Sequence, residues 1–532
     1  MFRCQNIRLC LGIVRIRDSD ALMRRMTMGK DSFEIYGPQS KSQTLFLGTY
    51  SLRSWDFTKG HRLLTEDSNT TGLWHAPAAA WESEPARKVR GLNKRWISLL
   101  VSVFIALGVF VNYHPLPITN ALSSTTFSSA SLAWPSAVLV DGSPISKPRN
   151  FKIIGIVFFG RRDTLSVLEC YLRANLVSHG GFLDEIHFVV NTGNEDDIAW
   201  LAKMVTQVKD YKRVELKEDG FTQNFNSIYA QSIERDHMYI KIDDDLVWMS
   251  PTAIPELVNT KLNHTESFAV LASLINSATM GWVQYRLGAV HSYFPERQPP
   301  ILKPFSEDTG DDSYGPKAWR ASALPTWQPP DGENEIAEFP HPEKTGKADK
   351  APIGSIGGPP YANHRWLPLR DDDEHIAKTP IAKSEYKSNG NNWDMWTIAA
   401  QQHYSLLENL EKGLLKKYYI GDEGIWNMRY DRGNINLIAI WANDILDNLP
   451  FEGADDEQLI SSNLPRKQHR QTLIQTRALT AHFSFAVQPE MYDTDLLSRY
   501  RAYANEMVCT AENQIPIVDL ASQEKDQETR WT

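Results

Sequence analysis

Short apolar runs alternate with helical repeats through the middle of the chain. Residues 153–159 (IIGIVFF) form an uninterrupted apolar run that ends at Gly160, which predicts a strand buried on both faces. Leu165, Leu168, Leu172 and Leu176 follow at spacings of three and four, the mark of a helix with one apolar side. The alternation continues with a strand at 186–190 (IHFVV), a helix at 198–208, a strand at 213–216, a helix at 225–233 and a strand at 238–242 (MYIKI). Strands that alternate with helices imply a mainly parallel sheet covered on both faces, so the expected class is α/β. A further apolar run lies at 269–275. Residues 295–380 are then dense in Pro, Gly and Asp and lose all periodicity, which predicts a long loop insertion. Regular structure resumes with a helix over 393–412, a strand-like INLIAI at 435–440, an extended stretch at 478–487 and a helix over 494–508.

The N-terminal third follows another pattern. Residues 96–111 (WISLLVSVFIALGVFV) carry no charge and no proline, and Asn112 and Tyr113 extend the run to a length that spans a bilayer. Arg87, Lys88, Arg90, Lys94 and Arg95 crowd its N-terminal side, whereas no Lys or Arg follows before Lys147. The positive-inside rule then places residues 1–95 in the cytosol and the remainder in a lumen, as a single-pass type II protein of the Golgi or endoplasmic reticulum. The expected organisation is a largely disordered arm over 1–95, a signal-anchor helix over 96–113, a Pro/Ser/Thr-rich stem over 114–150, a folded α/β domain over 151–510 and a disordered tail over 511–532.

Charge and cysteine content narrow the function classes. The net charge of −9 over 532 residues excludes a general nucleic-acid binder, which needs a concentrated basic face. Four cysteines are too few for a disulfide framework. Cys170 and Cys509 fall in the folded part, as a pair if that part is lumenal or as two buried thiols. Asn263-His264-Thr265 is a glycosylation sequon that a lumenal domain can use.

The candidate chemistry lies at Asp243-Asp244-Asp245, directly after the MYIKI strand. Three adjacent carboxylates raise one another's pKa unless a cation is present. A hard divalent ion takes oxygen ligands and leaves positions for phosphate oxygens. Ligands of open parallel sheets bind beyond the carboxyl ends of the strands, where this trio falls. Alternation along an extended chain sets Asp243 and Asp245 on one side and Asp244 on the other. A second acidic run, Asp371-Asp372-Asp373-Glu374, follows a Pro-rich loop with no incoming strand and reads as surface.

A strand-helix series leading to Lys-Ile-Asp-Asp-Asp resembles the GT-A glycosyltransferases with their Asp-x-Asp motif, and among them uncharacterised fungal type II membrane proteins. The resemblance covers 151–275, and more loosely the chain to about residue 510. It implies a Rossmann-like GT-A fold and transfer of a sugar, most simply a hexose, from a UDP- or GDP-sugar to a glycan, glycoprotein or lipid acceptor. It implies Mn²⁺ or Mg²⁺ held by Asp245 and Asp243, with Asp244 at the ribose or donor sugar. His482, in an apolar setting near the C-terminus, is the expected histidine ligand, a core histidine being the other reading. Asp422 or Glu423, a Gly-bounded acidic pair beside aromatics, is the candidate base, against an ordinary helix-capping pair. Arg161 and Arg162 are candidate diphosphate contacts and Asn226 a candidate nucleotide contact. Trp393 and Trp396 are expected on one buried helix face. Two other classes remain open: a metal-dependent nucleotidyl- or phosphoryl-transfer enzyme, and an inactive lumenal binding protein on the same fold. Donor, acceptor and oligomeric state are not legible.

Overall fold

The structure, a computed structural model, describes the backbone at 13–17, 26–28, 31–33 and 42–46, and residues 138–216, 225–300, 318–329, 336–340, 350–452 and 455–514. The chain divides into two units, Met1–Pro117 and Ile118–Thr532. In the first, β1 (Ile13–Arg17) pairs antiparallel with β4 (Ser42–Phe46), and β2 (Met26–Met28) with β3 (Asp31–Phe33). The alternation of IVRIR is itself a strand pattern, and the rest of the arm expected over 1–95 lies outside the described residues. The expected span at 96–113 lies outside the described residues. Among the described residues no helix is long and apolar enough to cross a membrane.

The second unit is built on one nine-stranded sheet. Its first half follows the sequence closely: β5 (Ile153–Phe159), α1 (Arg162–Ala174), β6 (Glu185–Val190), α2 (Glu195–Gln207), β7 (Tyr211–Val214), α3 (Phe225–Ser232) and β8 (Met238–Asp243). The strands β7, β6, β5 and β8 lie side by side and parallel. The run IIGIVFF is almost wholly buried because helices cover both of its faces. At the start of α2, Asn194 Oδ1 accepts from the amides of Asp196 (3.0 Å) and Asp197 (3.2 Å), and three acidic residues in the first turn match the helix dipole.

The second half departs from simple alternation. β9 (Leu246–Met249) follows the trio directly, then come α4 (Ala253–Asn263), β10 (Ala269–Ile275), α5 (Met280–Arg286) and the short pair β11 (Tyr293–Pro295) and β12 (Trp366–Pro368). After α6 (Asn391–Asp394) and α7 (Trp396–Glu411) come β13 (Ile425–Asn427), β14 (Leu437–Trp441), β15 (Leu473–His482) and the closing α8 (Leu496–Met507). β14 inserts antiparallel between β10 and β8, while β15 runs parallel to β10 and carries β13 and β9 antiparallel on its outer side. Six strands therefore share one direction, and the sheet is mostly parallel. An apolar run reports burial but not direction, so this insertion was invisible in the sequence.

Three expectations change. The helix expected over 393–412 breaks at Met395, which is extended (φ −101°, ψ 102°) and buries its side chain with Val290, Ile381 and Ile398. Trp393 and Trp396 therefore lie on different helices, Trp396 buried and Trp393 half-buried. The segment 138–150, assigned to a stem, lies on the folded unit: the Val140 amide donates to Glu256 (2.9 Å) and Lys147 pairs with Asp184 (2.9 Å). In the second acidic run Asp371, Asp372 and Glu374 are exposed. Asp373 turns inward to the His291 ring (2.8 Å) and the Ser292 amide (2.8 Å). Cys170 on α1 and Cys509 beyond α8 form a disulfide, tying the first helix of the sheet to the last.

Candidate functional site

The shared direction of β5, β6, β8, β10 and β15 brings their carboxyl ends to one edge of the sheet. Gly160, Asn191, the aspartate trio, Asn276 and His482 all lie there, as ligand sites in open α/β sheets do. The chain turns immediately after Asp243, so the trio does not alternate as an extended strand would. Each carboxylate meets a different partner set.

Asp243 ends β8 and is half-buried. It pairs with Lys241 Nζ, and its other oxygen accepts from Asn436 Nδ2 (2.9 Å). Lys241 is the one charged residue in MYIKI and is buried; it also donates to the Ile435 carbonyl (3.2 Å) and lies over the Phe158 ring (5.2 Å). Burial and the neighbouring Asp245 push Asp243 up to about 6, against the pull of Lys241.

Asp244 is buried and accepts the amides of Gly160 and Arg161, both at 2.6 Å, at the start of α1. The positive end of that helix faces its carboxylate. Its other oxygen takes Arg161 Nε (2.9 Å) and Nη2 (2.7 Å). Burial raises this carboxyl even so. Both oxygens of Asp244 are engaged, and its visible work is to hold the β5–α1 loop and the Arg161 guanidinium.

Asp245 is buried between Arg161 Nη1 (2.8 Å) and His482 Nε2 (2.9 Å), both on Oδ2. The pairing of β9 with β15 is what brings His482 to it, 237 residues along the chain. Burial opposes ionisation of Asp245, but Arg161 and His482 outweigh it and hold the carboxyl well below its usual range. His482 is raised correspondingly: burial lowers it, and the Asp245 carboxylate prevails. Asp245 Oδ1 and His482 Nδ1 are buried with no hydrogen-bond partner. Such groups are uncommon in native interiors.

A further layer fixes His482. Its carbonyl, with that of Phe483, accepts from His403 Nε2 (3.0 and 3.3 Å), and His403 Nδ1 faces the Tyr500 hydroxyl (2.7 Å). Carbonyls only accept, so His403 is the Nε2–H tautomer, and burial pushes it down to about 3. The His482 ring meets Phe485 edge-on at 4.5 Å, and Phe485 in turn contacts Trp393 (6.3 Å).

The donor set fits a hard divalent cation in part. Asp245 offers an unpartnered oxygen and His482 stands against the same carboxylate, while Asp243 is turned to Lys241. Among the described residues no three His, Cys, Asp or Glu side chains already converge as a metal centre. Two protein donors suit an ion whose remaining positions go to phosphate oxygens and water.

The other sequence candidates lie apart. Arg162 opens α1 and rests over Trp200 (5.6 Å), away from the trio. Asn226 sits in the first turn of α3, and its side chain lies outside the described residues. Asp422 and Glu423 are exposed in the turn before β13. The Asp422 carbonyl accepts from Arg477 and the Glu423 carbonyl from Gln475 (3.2 Å). Gly424 closes that turn at φ +73°, where an added Cβ would sit 2.3 Å from Gln475 Oε1. β15 bulges after Gln475, which lies opposite Ala272 while Ala481 lies opposite Ile275, so about 10 Å of sheet at ~3.3 Å per residue separates the turn's anchor from the residue before His482, and no hydrogen bond or ion pair among the described residues joins Asp422 or Glu423 to the trio. Sequence reasoning passed over Lys241 and Asn436, and ranked His403 below His482 as a ligand. Lys241 was within reach, since a lone lysine two residues before Asp243 shares its face.

No family model matches the chain and no curated protein matches it. Among solved structures, a mycobacterial protein matches at 15% identity over 26% of this chain and 48% of its own, with a TM-score of 0.19. The match thus spans about half the length of that protein. A 4-diphosphocytidyl-2C-methyl-D-erythritol synthase matches at 12% identity over 31% and 71%, TM-score 0.19. The synthase of that name from Anaerococcus prevotii matches at 13% over 30% and 60%, TM-score 0.17.

Proposed function

We propose that the protein is a divalent-metal-dependent glycosyltransferase that uses a UDP- or GDP-sugar donor. The observation that carries the reading is the buried Asp245–His482 contact at the carboxyl edge of the sheet, with Asp245 Oδ1 left without a partner. Asp245 and His482 hold Mn²⁺ or Mg²⁺, and Asp243 supports it from the Lys241 side. When bound, the ion supplies Lewis-acid stabilisation of the leaving diphosphate.

The chain's own groups do the rest. Arg161 offers its planar guanidinium to the diphosphate, and Asp244 aims it. Asn436 fixes Asp243, and the His403–Tyr500 pair fixes the backbone that carries His482. The Cys170–Cys509 disulfide favours an oxidising compartment and agrees with a lumenal domain behind the charged flank of residues 96–113.

The test is a thermal-shift and turnover panel on the full chain in detergent, comparing UDP- and GDP-sugars, NTPs and phosphoesters with and without Mn²⁺. The reading expects metal-dependent stabilisation by one sugar nucleotide and release of its nucleoside diphosphate, both lost in Asp245→Ala. Turnover of NTPs alone would assign the site to nucleotidyl or phosphoryl transfer. Full sugar-nucleotide turnover by Asp245→Ala would overturn the site.

A further inference from the structure

A run of aromatic rings crosses the surface from the helix that follows β10 to the edge strand. Trp282 on α5, Tyr386 in the loop before α6 and Trp426 on β13 meet edge to face, with centroids 6.1 Å apart at each step. Trp426 Nε1 donates to the Tyr386 hydroxyl (3.2 Å), which locks the two rings together. Tyr386 is 37% exposed, and Trp282 and Trp426 are half-buried. At one end the exposed Arg286 guanidinium lies over Tyr285 (4.6 Å) and Trp282 (5.4 Å). At the other, Asp422 and Glu423 stand in the exposed turn that leads into Trp426.

Single exposed aromatics need no explanation. Three in contact are different when each comes from a separate segment and a hydrogen bond fixes their geometry. Large rigid rings give contact area at little entropic cost, which is why they serve as binding anchors. The polar groups at the ends decide the ligand class. A guanidinium at one end and two carboxylates at the other suit a neutral ligand with many hydroxyls, since a strongly charged one would be repelled at one end. Hydrogen bonds also tie the start of α5, two residues before Trp282, to Asp243. Asn436 holds Asp243 (2.9 Å), Asn434 two residues before it accepts from Ser277 (2.8 Å), and Ser277 accepts the Met280 amide (3.0 Å) that opens α5. Trp282 follows two residues later.

From this arrangement we infer that Trp282, Tyr386 and Trp426 form a binding strip for a neutral oligosaccharide chain, the acceptor side of the transfer proposed above. The acidic turn Asp422–Glu423 belongs to this strip, where its carboxylates accept sugar hydroxyls. The assignment of the bound chain as acceptor rests on the glycosyltransferase reading; the binding itself does not.

The experiment is calorimetric titration of the full chain in detergent with neutral hexasaccharides of gluco, manno and galacto configuration and with the matching monosaccharides. One hexasaccharide is expected to bind at least about tenfold tighter than its monosaccharide. Tyr386→Ala and Trp426→Ala should each lose about tenfold, while Tyr386→Phe, which keeps the ring, retains most of the affinity. The metal-linked thermal shift with sugar nucleotide is read in parallel as a measure of the donor side. If no hexasaccharide binds the wild-type chain, or if both alanine variants bind as the wild type does, the strip is not a glycan site. Hexasaccharide binding without any nucleotide response would sink the transferase reading and leave the strip standing.

Discussion

Replacing Arg161 with alanine removes a side chain that bridges two of the three aspartates. Its guanidinium lies 2.7 Å from Asp244 and 2.8 Å from Asp245, whose side chains are 2% and 4% exposed. Charge-assisted hydrogen bonds contribute about 1.5–3 kcal/mol each. Neither carboxylate is stripped, because Asp244 keeps two backbone donors at 2.6 Å and Asp245 keeps His482 at 2.9 Å. The Arg161 side chain is itself 45% exposed, so water recovers part of the loss. The net expectation is a destabilisation of about 2–3 kcal/mol, roughly 2–4 °C for a unit of about 400 residues. The second half of the prediction is specific to the mechanism. Millimolar Mn²⁺ should raise the melting temperature of Arg161→Ala more than that of the wild type, because the cation then enters beside carboxylates that no guanidinium occupies. Binding at a hundred times its Kd would restore about 2.7 kcal/mol. Differential scanning fluorimetry of both proteins with and without Mn²⁺ reads both effects. A variant that melts within about 1 °C of the wild type, or an equal Mn²⁺ shift in both, would refute the reasoning.

Breaking the disulfide by Cys170→Ser with Cys509→Ser should cost about 3–5 kcal/mol, since it closes a loop of 339 residues; thermal melts with and without reductant check this. His403→Ala leaves the Tyr500 hydroxyl and the His482 carbonyl without their partner. It should destabilise by about 3 kcal/mol and weaken the Mn²⁺-linked shift by misplacing His482; a variant with a full Mn²⁺ shift would show that His403 only packs. Glu185 is raised by burial but pulled down to about 2 overall by Lys152, Lys212 and His187. Its folded pKa lies below the unfolded value, so its contribution is present above about pH 4.5 and is lost as pH falls toward 2. Glu185→Gln should therefore show a shallower fall in melting temperature between those two pH values, measured by calorimetry.

The first half of the sheet was legible because its strands are buried on both faces. IIGIVFF and IHFVV have no polar alternation to obscure them, and their helices repeat at 3.6 residues. The trio drew notice because three carboxylates end an apolar strand, and in the structure each has its own partner set. The partners that give it meaning were harder to see. His482 reaches Asp245 through a pairing between two strands far apart in sequence, and only its apolar setting hinted at it. Met395 breaks a helix whose local propensity is good, since burying its side chain with Ile381 and Ile398 outweighs one lost turn. The Trp282–Tyr386–Trp426 strip draws on three segments, none of which marks itself in isolation.

If the proposed cation and nucleotide bind this edge, charge balance favours their binding together rather than in turn. Three carboxylates face Lys241, Arg161 and His482, so with the imidazole protonated the cluster is locally neutral. A divalent ion alone adds two positive charges to a neutral, largely buried site and must displace the imidazole proton as well. A sugar nucleotide alone brings about two negative charges beside buried carboxylates. Together they would offset each other, leaving a net change of about one negative charge once the imidazole proton is lost; Asp245 and His482 would hold the ion, and Arg161 would be free to pair with phosphate. The expected signature is synergy, with the melting temperature rising more with Mn²⁺ and donor combined than the sum of the separate shifts. Strictly additive shifts would mean that the aspartates and the phosphates do not share one ion.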